Sequence, residues 1–159
     1  MRQAMRKKGV AMLGLSVLRL RSVIGLAIFS GIFCGPIFAQ ADVIAERKAN
    51  FKANAAAMKA INAALGGGDF ETVVTQATTI ADWARVMPNY FPENSASGDT
   101  KARAEIWMDF DDFKTRASAN EKAALTLIST AKTGDVSATI GALKALGGTC
   151  KSCHDNFKD

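Results

Sequence analysis

Histidine is almost missing from this chain: His154 is the only one in 159 residues. That excludes ligation of a metal by two histidines of one chain. It also leaves nothing to complete a zinc set around a pair of cysteines, since zinc prefers four ligands. Cysteine is scarce as well. Cys34 lies in an apolar leader, which leaves only Cys150 and Cys153, three residues apart. Such a pair cannot staple a disulfide scaffold. Strand-like alternation is missing throughout, and acidic residues are absent from positions 1–41.

That acid-free segment carries Arg2, Arg6, Lys7, Lys8, Arg19 and Arg21, then an uncharged run from Ser22 to Ala41 ending in Ala39-Gln40-Ala41. A basic start, an apolar stretch and a small-x-small close predict a secretory signal peptide over 1–41, cleaved before Asp42. A retained membrane anchor is the alternative; Gly31, Gly35 and Pro36 interrupt the run and argue against it. Six of the 20 basic residues precede Asp42, leaving 14 against 15 acidic and a net charge of −1 over 42–159. The basic character therefore belongs to the export signal. No basic patch interleaved with aromatics remains to support nucleic-acid binding. The expected location is the periplasm, with no membrane span after cleavage.

Residues 42–159 are the right length for one compact domain. Helical periodicity marks four stretches. The first covers about 43–65, with Arg47, Phe51, Met58, Ile61 and Leu65 on one face, and stops at Gly66-Gly67-Gly68. Asp69 is a good N-cap for the second, which turns Phe70, Val73, Ala77, Ile80 and Met87 inward and ends at Pro88 and Pro92. A polar loop over about 89–99 precedes a third helix, expected to run unbroken over about 100–131. Thr133-Gly134-Asp135 stops it and caps a fourth, which sets Ile140, Leu143, Leu146, Cys150, Cys153 and Phe157 along one side. The fold class is all-α, an antiparallel four-helix bundle.

Cys150-Lys151-Ser152-Cys153-His154 is a C-x-x-C-H pentapeptide, the signature of covalent haem attachment. Residues three and four apart share a helix face, so both thiols can reach vinyl groups on one porphyrin edge while the adjacent imidazole supplies an axial nitrogen to iron. A thioredoxin-type dithiol uses the same C-x-x-C but in a βαβ setting, of which there is no sign. Gly147-Gly148, one turn before Cys150, suggests a place where something bulky approaches the backbone. The expected cofactor is one covalent haem c per chain, near the C-terminal end of the fourth helix, with His154 as axial iron ligand. Met58, Met87 and Met108 are the candidates for a methionine opposite it; helical methionines are more often core filler.

The chain resembles the class II c-type cytochromes, and cytochrome c prime in particular. The resemblance runs through Arg47 to Met58, Glu105-Ile106-Trp107, and Leu146-Gly147-Gly148-Thr149 leading into C-x-x-C-H. It implies a haem at one end of the bundle and a homodimer. It also implies that Phe51, four residues after Arg47, caps the distal face where low-spin members place a methionine, so that the iron is five-coordinate. Arg47 would then lie near a haem propionate, or else be an ordinary solvated helix charge. Lys158 stands where the family often has an arginine, four residues after the ligand histidine. The function expected is a redox-active, non-enzymatic haem protein that binds small diatomics such as nitric oxide and carbon monoxide, with an unidentified redox partner. The alternative is a low-spin one-electron carrier with a methionine sixth ligand.

Overall fold

A computed structural model describes the backbone of residues 36–159 and the side chains from Asp42 onward. Residues 1–35, which hold Cys34 and most of the expected 1–41 leader, lie outside the described residues. Among those described, the elements are α1 (Pro36–Gly67), α2 (Phe70–Val86), a short α3 (Glu105–Met108), α4 (Phe110–Ala131) and α5 (Val136–Phe157). Two 3-10 turns, Met87–Tyr90 and Glu93–Ser95, follow α2. The four long helices form the bundle, with α2 packed on α1 and α4, and α4 on α5.

Side-chain chemistry sets the helix ends. Asp69 caps α2 by accepting from the Thr72 N–H at 3.0 Å, and Asp135 caps α5 by accepting from Ala138 N–H at 2.9 Å. Gly68 and Gly134, at φ of +73° and +74°, take the left-handed conformation that ends α1 and α4. Replacing Asp135 with alanine removes the cap and is expected to cost about 1 kcal/mol, read as a fall of a few degrees in the thermal midpoint by circular dichroism. An unchanged midpoint would mean that the exposed start of α5 adds nothing to the cooperative unit.

Two boundaries differ from those expected. The described part of α1 reaches back to Pro36, beyond the expected start near residue 43. The third stretch is broken at Asp109, where the backbone leaves the helix at φ −134°, ψ 69° and the carboxylate caps α4 by accepting from Asp112 N–H at 3.0 Å. Segment 100–104 is extended or turned, not helical.

The core divides along the bundle axis. One end is aliphatic: Ile61, Val73, Ile80, Leu127, Leu143 and Leu146 pack with small alanines. The other is aromatic, built from Trp83, Phe91, Phe113 and Phe157 with Met87 and Ile106, and Cys153 packs against it. Several exposed carboxylates tune the acid limit. Hydrogen bonds from Thr72, Lys48 and Lys114 hold Asp69, Asp99 and Asp111 below the usual carboxylate range. A group with a depressed folded pKa stabilises above its unfolded value and loses that contribution as pH falls through the folded one. The melting midpoint should therefore hold steady down to about pH 4 and fall below it. A midpoint that rises on acidification would contradict this.

Candidate haem site

The C-x-x-C-H motif occupies the last turns of α5, which is carried there unbroken through Gly147-Gly148. An added Cβ at either glycine would meet nothing within 4 Å, and Gly147 faces a large cavity. The expected close approach at this pair is thus open space on the cavity wall. Cys150 and Cys153 are half-buried free thiols. Burial raises both, Cys153 to about 11, so both remain protonated at neutral pH. Reactive dithiols and zinc-binding thiolates need the opposite shift. Burial, then the charge of Lys158, lowers His154 from its ordinary value, which keeps its imidazole neutral and able to ligate.

The cavity measures about 710 Å³ and lies between the motif on α5 and the inward face of α1, with walls from α2 and α4. Phe51 stands on the α1 wall, 36% exposed, with its ring edge-on to Trp83 at 5.4 Å and to Phe91 at 6.4 Å. Cys150, Cys153, His154 and Phe51 therefore line one space. Met58 and Met87 also line it; Met87 is buried in the aromatic cluster, and Met108 is 81% exposed outside it.

Arg47 corrects one expectation. It is 2% exposed, so it is no solvated helix charge. Its two terminal amino groups donate to Ser95 Oγ, Ser95 O and Thr100 Oγ1, each at 2.9 Å, and to Tyr90 O at 3.3 Å. The guanidinium lies 4.5 Å from the Phe91 ring centroid. It lines the cavity while tying loop 88–100 to α1. Trp107, on α3, braces the same loop by donating from Nε1 to Phe91 O at 3.1 Å and Pro92 O at 2.9 Å. Trp83 is a wall residue of the cavity, a role that helical spacing alone did not reveal.

The residues present fit a haem. Two thiols and an imidazole share one wall, and the other walls are largely aromatic and aliphatic. No group of three or more His, Cys, Asp or Glu side chains among the described residues could hold a bare metal ion instead. A four-helix bundle with C-x-x-C-H on its last helix, facing a pocket of this kind, defines a class II c-type cytochrome.

The comparisons agree. A family model described as Cytochrome C' matches residues 42–158, and the chain belongs to that family. A cytochrome c' of Rhodopseudomonas palustris is 38% identical over 148 residues, covering 89% of this chain and 96% of that one. A cytochrome c' of Rhodospirillum rubrum is 47% identical over 83 residues, which span 52% of this chain and 56% of that protein. Among solved structures, cytochrome c' of Thermochromatium tepidum superposes with a TM-score of 0.70 at 26% identity, covering 75% of this chain and 95% of that one. Members of the family carry covalently bound haem c, and Cys150 and Cys153 fit the C-x-x-C-H attachment motif.

Proposed function

We propose that this chain is a periplasmic haem protein in which Cys150 and Cys153 hold the haem, His154 is the axial ligand and Phe51 closes the opposite face without ligating. When bound, the haem supplies an iron that changes oxidation state and takes a small gaseous ligand. The observation that carries this reading is the placement of Phe51 across the cavity from the motif, where an apolar ring offers no lone pair to iron. Trp83 and Phe91 brace that ring edge-on, so an incoming ligand must displace a supported side chain. A wall of this kind favours small neutral diatomics over ligands that need hydrogen-bond donors. A point mutant of the cytochrome c' of Alcaligenes xylosoxidans, which shares the fold at a TM-score of 0.67 and 22% identity, is known as a nitric oxide complex. The role is ligand binding and electron transfer, not catalysis, with a homodimer as the expected assembly. No helix among the described residues is long and apolar enough to cross a membrane. Arg47 adds positive charge to the cavity wall, where a haem propionate would be a further acceptor beside its four present partners.

Absorption spectra of the haem-loaded protein, ferric and then ferrous, with and without carbon monoxide, test the reading. A high-spin ferrous spectrum that shifts with carbon monoxide is the expected result. A low-spin spectrum with sharp visible bands and no response would make the protein a one-electron carrier with an internal sixth ligand. That second reading has one structural support, the presence of Met58 and Met87 on the cavity wall. Phe51→Ala should speed carbon monoxide association roughly tenfold, equivalent to about 1.4 kcal/mol of barrier. An unchanged rate would show that Phe51 does not stand in the ligand's path.

A further inference from the structure

Two side chains of α4, outside the motif, reach across to it. Arg116 Nη1 donates to the Ser152 carbonyl at 3.0 Å and to the Ser152 hydroxyl at 2.7 Å. One turn later, Asn120 Nδ2 donates to Thr149 Oγ1 at 2.8 Å and to Cys150 Sγ at 3.5 Å. Arg116 is itself held by Asp112, with Nε to Oδ2 at 2.8 Å, and its guanidinium lies 5.6 Å from the Phe157 ring centroid. Asp112, Arg116 and Asn120 follow each other at four-residue steps and so form one polar rail along α4. Everything the rail grips belongs to the attachment segment or adjoins it.

The rail is also part of the haem cavity, since Arg116 and Asn120 both line it. The side chains of Arg116 and Asp112 keep only 27% and 37% of their exposure, so water screens them incompletely. Lys158, the basic residue four positions beyond His154, is exposed and donates to the Asp159 carbonyl at 3.2 Å. The charge brought to the attachment segment from a neighbouring helix is therefore the Asp112–Arg116 pair.

We propose that Arg116 and Asp112 are positioning residues for the haem: Arg116 fixes the C-x-x-C-H turn through Ser152, and the pair's opposed charges set the balance between ferric and ferrous iron. Ferric haem carries one more positive charge than ferrous haem. Neutralising Arg116 leaves Asp112 uncompensated and favours the ferric form. Neutralising Asp112 leaves Arg116 uncompensated and favours the ferrous form. The inference rests on the covalent haem and not on whether the sixth position is open.

A spectroscopic redox titration of the full, haem-loaded chain tests it. Arg116→Gln should lower the midpoint potential and Asp112→Asn should raise it, each changing the ferric-to-ferrous ratio at fixed applied potential roughly three- to tenfold. The double variant should return close to the starting protein. A merely structural rail would move both single variants in the same direction, and that result, or no movement in either, overturns the proposal. Arg116→Lys keeps the charge but shortens the reach to Ser152; a lower melting midpoint with a nearly unchanged potential is expected. A potential shift matching Arg116→Gln would refute the charge assignment. Asp112→Asn leaves the guanidinium's grip on Ser152 in place, so the test survives if Arg116→Gln fails to fold. Should the starting protein bind no haem, the haem reading itself fails; normal haem with unmoved midpoints defeats only this inference.

Discussion

Replacing Arg47 with methionine should lower the thermal midpoint of the haem-loaded protein by roughly 10–20 °C. Methionine keeps much of the aliphatic length but removes every donor. Ser95 O, Ser95 Oγ, Thr100 Oγ1 and Tyr90 O would lose the charged partner that now binds them. Ser95 is 0% exposed, so water cannot replace what is lost there without opening the loop. Hydrogen bonds to charged groups contribute about 1.5–3 kcal/mol each, and a buried acceptor left without a partner costs about 1–3 kcal/mol. The contributions are not additive, because Ser95 Oγ also donates to Pro92 O at 2.8 Å and part of the loop can relax. A net loss of about 3–5 kcal/mol is a reasonable centre, and the stacking on Phe91 goes with it. Arg47→Lys should recover only part, since one ammonium cannot reproduce the fork that spans Ser95 and Thr100. Melting followed by circular dichroism decides: a drop under about 3 °C would mean that Trp107 and the 3-10 turns hold the loop unaided.

The second large effect concerns the cofactor itself. The double substitution Cys150→Ser, Cys153→Ser should abolish covalent retention of haem altogether. Serine matches the size and helix compatibility of cysteine, but its hydroxyl does not form the thioether. On a denaturing gel stained for haem peroxidase activity, the band should vanish while the polypeptide remains. Each single substitution should keep a band through the surviving sulfur. A double variant that still carries haem through denaturation would place the attachment elsewhere. His154→Ala separates ligation from attachment: the stain should persist while the visible spectrum loses its axial imidazole character.

These two experiments also mark what the sequence could and could not show. The attachment residues were legible because their chemistry lies in a short contiguous motif whose spacing matches one helix face. Helix ends at Asp69 and Asp135 were legible for the same local reason, a capping carboxylate three residues before the N–H it accepts from. The break at Asp109 was not. Ile106 and Phe113 are seven residues apart, so the apolar phase stays the same whether or not the helix is interrupted between them. The loop partners of Arg47 were not legible, because they lie more than 40 positions away, in a loop whose course no periodicity records. Arg116 and Asn120 were invisible on the same ground: each reads as an ordinary polar residue on α4 until α5 is laid beside it.

On the proposed reading, the residues that would hold the haem and the residue that would gate its open face sit on different helices, which separates two properties that selection or design could otherwise not vary independently. α5 carries Cys150, Cys153 and His154, while α1 carries Phe51 and the loop anchor Arg47 on another wall of the same cavity. Changes along α1 can therefore widen, narrow or relabel the gate without touching the residues that keep the cofactor. A series of chains differing only at position 51 would share one maturation route yet sort gases by different rules, which makes the bundle a natural starting point for graded sensors.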